Sequence, residues 1–171
     1  LISGLIASGH SPQDLWVSDV NQDALKVLAE NLNVNTSTNN DDIINAVDVV
    51  VLAVKPQILS TVAKNATASI QQKQPLVVSI SAGISQQSLS QWLGNNIAIV
   101  RCMPNTPALV LTGATALHAN AQVTAEQHDL AENIMRSVGI ALWVNDESEL
   151  DVVTAVSGSG PAYYFLLMEA M

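Results

Sequence analysis

Only six lysines and arginines stand against fifteen aspartates and glutamates, a formal net charge of −9. A nucleic-acid surface needs clustered cations, and so few cannot build one. There is one cysteine, Cys102. It excludes an internal disulfide and fits a reducing compartment, so a cytoplasmic setting is expected. Aromatic residues make up 4%, which leaves the core to Val, Ile, Leu and Ala. No apolar run reaches the roughly 18 residues of a membrane span. No signal peptide is visible. His10, His118 and His128 have no metal-like spacing, so no metal site is expected.

What is present is apolar and rhythmic. At 49% hydrophobic, the 171 residues suit one domain, or one domain and part of another. The low cation count leaves room for one anionic small molecule, because backbone N–H groups can bind it. The chain starts at Leu1 without an initiator methionine and ends inside an apolar run. LISGLIASG reads as a helix ending at Gly9, and PAYYFLLMEAM as a helix in progress. A piece of a longer protein is expected, one that lacks its first strand and cannot act alone.

Residues 15–18 read as a short strand ending at Asp19. Leu25, Leu28 and Leu32 lie on one helical face. Residues 47–54, VDVVVLAV, form a β-branched run that fits a strand buried on both faces. Pro56 suits the first turn of the next helix. The rhythm repeats with PLVVSIS, a helix capped by Ser85, the strand IAIVRCM, and a further strand at GATALHA. Thr124 and Gln127 make a capping-box pattern before another helix, and IALWV follows. Such alternation predicts a doubly wound, mainly parallel α/β sheet. The rhythm stops near NDESE. Residues 1–146 are therefore expected to form a dinucleotide-binding domain and 147–171 the start of a helical one.

In open sheets of this kind, ligands bind at the carboxyl ends of strands. Four exits qualify: SDVN (18–21), AVKP (53–56), SISAG (79–83) and MPNTP (103–107). Their small and polar residues let backbone approach a ligand. A G-x-G-x-x-G fingerprint is absent. Asp19, at a strand end, is placed either to bond an adenosine ribose or simply to start a turn. Lys55 reads as a lysine reaching solvent in preference to a general base or Schiff-base lysine. SGSGP (157–161) lies between helical stretches, so it is not a nucleophile elbow. A helix break or a close-packing site is expected there. No residue pair looks like a general acid and base, and no catalytic side chain is assigned. Hydride transfer fits that absence, since it asks mainly for alignment and exclusion of water.

The ordered set AVKP, SISAG, RCMPNTP (101–107), GAT (113–115) and VSGSGPAY (156–163) resembles pyrroline-5-carboxylate reductase. The resemblance implies a Rossmann-like cofactor domain followed by an all-helical domain that forms a homodimer or higher oligomer. It implies reduction of pyrroline-5-carboxylate to L-proline with NADPH or NADH. It places Ala53, Val54, Lys55, Pro56, Ser81, Ala82 and Gly83 along the nicotinamide and its ribose. Met103, Pro104, Asn105 and Thr106 would sit beside the nicotinamide ring. Asn40 would contact the adenosine side, with Asp19 and Asn21 near it. Many relatives carry Asn-Arg where this chain has Asp19-Val20, a departure that bears on the choice between NADPH and NADH. Other readings are a different imine or 3-hydroxyacid reductase of this architecture, or a dinucleotide sensor without turnover.

Overall fold

The computed structural model describes residues 1–171. In chain order, α1 (Ile2–Ala7), β1 (Trp16–Ser18), α2 (Gln22–Leu32), β2 (Asn35–Ser37) and α3 (Asn40–Ala46) come first. Then come β3 (Val49–Leu52), α4 (Pro56–Lys73), β4 (Leu76–Ser79), α5 (Gln86–Leu93) and β5 (Ile99–Met103). The chain continues with β6 (Gly113–Ala119), α6 (Ala125–Arg136), β7 (Gly139–Trp143), α7 (Glu149–Val153) and α8 (Gly160–Ala170). Local chemistry sets the helix starts. Asn21, Asn39 and Ser85 accept backbone N–H groups at the first turns of α2, α3 and α5. Thr124 and Gln127 form the reciprocal capping box of α6. Pro56 opens α4.

Five strands pair in the order β3-β4-β5-β6-β7, while β1 and β2 pair apart from them. β3, β4 and β5 are parallel; β6 runs antiparallel to β5 and parallel to β7. The mainly parallel α/β architecture is present, divided between two sheets. The larger sheet also divides the core. On one face, Leu59, Ala63, Ala66 and Ile70 of α4 recur at helical spacing and meet Leu89, Leu93, Val77 and Ile99. On the other, Leu76, Val78, Val100, Cys102 and Leu117 meet Leu5 of α1 and Ala131, Ile134 and Met135 of α6. Each fully buried Leu or Ile contributes about 1.5–3 kcal/mol, so the strand ends rise from a firmly packed base.

Two expectations need correction. The 47–54 run was expected to be buried on both faces, yet Val49, Val50 and Val51 are only half-buried. β3 is an edge strand, with its outer flank unpaired. The fully buried strand is its neighbour, β4. Residues 157–161 do not break the helix. A π-helical turn at 154–159 carries α7 into α8. The turn packs closely, as expected, but against a strand end: a Cβ on Gly158 would lie 2.7 Å from Met103 Cε. Beyond it, Tyr163 through Met168 are all more than half exposed. No helix is long and apolar enough to cross a membrane.

Candidate functional site

Because β3, β4 and β5 are parallel neighbours, their carboxyl ends lie side by side. Three of the expected exits therefore share one sheet edge. Ser81 joins two of them: its hydroxyl donates to the Val54 carbonyl at 2.8 Å. Ala53 is exposed, and Ala82 is half-buried. Gly83 has φ +73, and a Cβ there would meet nothing within 4 Å. Its left-handed backbone suits glycine, and the space beside it is open. Lys55 is exposed, ahead of the first turn of α4.

The third exit is braced from the next strand. Asn105 Oδ1 accepts the Ala114 N–H at 2.9 Å. A 3-10 turn, Thr106–Val110, follows and closes with Leu111 in the left-handed region. Pro104 and Pro107 limit the backbone on either side of Asn105 and Thr106. The Asn105 oxygen is thus committed to holding the loop, which leaves its amide nitrogen and the Thr106 hydroxyl for a ligand.

Asp19, Asn21 and Asn40 form a second group, at the ends of β1 and α3. Ser18 Oγ donates to Asn40 Oδ1 at 2.6 Å. Asp19 Oδ1 accepts the Asn21 N–H at 2.8 Å, and Asn21 Oδ1 accepts the Ala24 N–H at 3.1 Å. Asp19 does shape its turn, yet its side chain remains exposed. A cleft of about 180 Å³, lined by Thr38–Asp41, Asn65 and Ala66, opens beside Asn40. A larger concavity of about 470 Å³ lies next to the third exit, between Leu111–Ala114, Arg136, Gly139 and Ile140. None of the expected residues lines it, and it is wide open to solvent, so the strand-exit edge is the better candidate.

The charge pattern is sparse. Burial pushes the Cys102 thiol far up, which makes it an inert core residue one position before Met103. Hydrogen bonds from the backbone and side chain of Ser148 hold Asp146 below the usual carboxylate range. Arg101 was not singled out from the sequence. It is 6% exposed on β5, with Nη1 2.8 Å from Glu147 Oε1 and Nη2 3.3 Å from Asp151 Oδ1. The available signal was a lone cation inside a buried strand, where an unpaired charge would be prohibitive. The edge as a whole offers small residues, hydroxyls at Ser81 and Thr106, and no acid–base pair. It can hold a flat molecule by position.

The fold has counterparts among known proteins. Residues 1–83 match the family described as NADP oxidoreductase, coenzyme F420-dependent, and residues 147–171 match pyrroline-5-carboxylate reductase dimerisation. The pyrroline-5-carboxylate reductase of Pseudomonas aeruginosa is 47% identical over 171 residues, covering 100% of this chain and 62% of that protein. A solved pyrroline-5-carboxylate reductase from Coxiella burnetii superposes with a TM-score of 0.93 at 42% identity, covering 99% of this chain and 63% of that one. The Plasmodium falciparum pyrroline carboxylate reductase, solved with NADP bound, gives a TM-score of 0.84 at 28% identity over 98% of this chain and 60% of that one. The chain thus spans less than two thirds of the length of these relatives.

Proposed function

The chain belongs to the pyrroline-5-carboxylate reductase family, and we propose that the whole protein reduces 1-pyrroline-5-carboxylate to L-proline with NADPH or NADH. One observation carries the reading. The exits of three parallel strands are brought to one edge, two of them joined by the Ser81–Val54 hydrogen bond, and the segment matching the dimerisation family packs against the third at Met103.

The residues present fit a dinucleotide. Ala53, Ala82 and Gly83 supply a surface low enough for a planar ring, and the space above Gly83 is open. Asp19 and Asn40 offer exposed acceptors to a ribose. When bound, the reduced nicotinamide supplies a hydride to the imine carbon. The chain's share is placement. The Val54–Pro56 and Ser81–Gly83 backbones would support the ring and its ribose from one side. The Pro104–Thr106 turn, held by Asn105, would limit where the imine can lie. The exits 53–56, 79–83 and 103–107 carry no carboxylate or imidazole, so these exits do not supply the proton that completes the reduction. Alignment of this kind lowers a barrier without an acid or base at these exits.

The exposed apolar α8 is assigned to a homodimer or higher oligomer through the helical domain, and the setting is cytoplasmic. Isotope transfer tests the chemistry. Cofactor deuterated at C4 should yield proline deuterated at C5; unlabelled proline would remove direct hydride transfer from the account.

A further inference from the structure

The helical segment does not simply follow the sheet; it is tied to it through Glu147, with Asp151 beside it on the same Arg101 guanidinium. Glu147 Oε1 accepts from Arg101 Nη1 at 2.8 Å and from the backbone N–H of Gln86 at 2.7 Å. Gln86 is the first residue of α5, the helix that follows the Ser81–Gly83 exit. Arg101 lies two residues before Met103, in the strand that leads into the Pro104–Thr106 turn. Glu147 is also the first residue of the segment matching the dimerisation family. One oxygen atom therefore links two exits of the candidate site to the root of the helical domain.

The surroundings make this link stiff. Gln86 is itself buried, and its amide nitrogen donates to the carbonyls of Ile99 at 3.2 Å and His118 at 2.9 Å. This clamps the start of α5 onto β5 and β6. The Arg101 side chain is 7% exposed, so its guanidinium has little recourse to water if a partner is lost. Leu150, on the next turn, is 1% exposed. A few residues later, Gly158 brings the helical segment close to Met103, where a Cβ would lie 2.7 Å from the flexible end of that side chain. Past that point the helix projects with its apolar side chains exposed. The direction in which it leaves is thus set between Glu147 and Gly158.

A buried ion pair adds little net stability over an apolar replacement. Its better use is to select one arrangement. We propose that Glu147 is a positioning residue. Through Arg101 and the α5 N-terminus it fixes the helical domain relative to the hydride-donor edge, and so sets the distance across which the substrate is reduced. This rests on the reductase reading, and on the substrate lying in the part of the relatives that continues beyond the segment matched here. Misplacement by an ångström can lower a rate by about 100-fold, so the effect belongs in kcat and not in cofactor affinity.

The test compares the whole wild-type protein with Glu147→Ala and Glu147→Gln. In Glu147→Ala, kcat should fall by about ten- to a hundredfold while the cofactor Kd and the dimer are kept. Glu147→Gln keeps an oxygen that can accept from Gln86 and Arg101, and it should recover much of the rate. Hydrogen exchange supplies a readout that does not depend on the substrate. In Glu147→Ala the first turn of α5, the 103–107 turn and residues 149–158 should exchange faster together, with the rest of the sheet unchanged. Unchanged exchange in those three segments would overturn the proposal, even if the imine proves not to be the substrate. So would an unchanged kcat, or equal loss of rate and cofactor affinity in both variants. Failure of the wild-type protein to reduce the imine would instead count against the reductase reading alone.

Discussion

The Ser81 hydroxyl and the Val54 carbonyl, 27 positions apart, meet at 2.8 Å and lock the exits of β3 and β4 together. Ser81 is buried, so its hydroxyl has no easy access to water in place of this bond. Removing the hydroxyl leaves a carbonyl short of a partner, a loss of about 1 kcal/mol. Ser81→Ala should therefore fold, melt slightly earlier, and bind the reduced cofactor about three- to tenfold more weakly. Thermal melts and a fluorescence titration check both halves. Unchanged affinity would mean that this hydrogen bond does not shape the site.

Asp19 is expected to bear on cofactor choice. Its Oδ1 accepts the Asn21 N–H, an arrangement that an asparagine oxygen can keep. Asp19→Asn removes only the charge. A carboxylate near a 2′-phosphate is repulsive, so the substitution should raise the ratio of kcat/KM for NADPH over NADH by about tenfold, or 1.4 kcal/mol. Parallel rate measurements with the two cofactors settle it; an unmoved ratio would place the 2′-position away from residue 19.

Much of this architecture could be read along the chain, because its causes are local. The β-branched run through Val77 and Val78 and the caps at Ser85 and Thr124 act within a few residues of themselves. What escaped has causes far apart in sequence. β2 is the polar tripeptide Asn35–Ser37 and carries no apolar pattern. The reversed direction of β6 and the division into two sheets depend on pairing, to which no single segment testifies. The exits could be listed from the sequence, but the Ser81–Val54 bond that joins two of them could not. Arg101 and Glu147 are 46 positions apart, and only the fold shows that they share a proton-bearing contact.

Gly139 should be intolerant of any side chain. Its φ is +152, and a Cβ would lie 2.0 Å from the carbonyl oxygen of Gly113, its partner across β6 and β7. That oxygen is backbone and cannot rotate away. Gly139→Ala should lose more than about 1–3 kcal/mol, read as a lower urea midpoint. A wild-type midpoint would contradict the close pairing of these strands.

Acid sensitivity has a nameable contributor. Hydrogen bonds from Arg136 and then Trp143 hold the Glu132 carboxyl below its ordinary value of 4.5. A depressed folded value means that its stabilisation is fully present above the unfolded value and lost as pH falls through the lower folded one. Glu132→Gln should be less stable than wild type at about pH 7, with a narrower gap at a pH well below 4.5. Urea midpoints at the two pH values test this; a constant gap would show that the carboxylate charge is not the cause.

The strand-exit edge is proposed to serve the reduction of a cyclic imine. The most direct measurement follows cofactor oxidation by the whole protein with pyrroline-5-carboxylate, using NADPH and NADH separately. Rapid oxidation that depends on the imine, with proline as product, is expected. Tight cofactor binding without oxidation by either cofactor would contradict it, and would favour another imine substrate or a dinucleotide sensor.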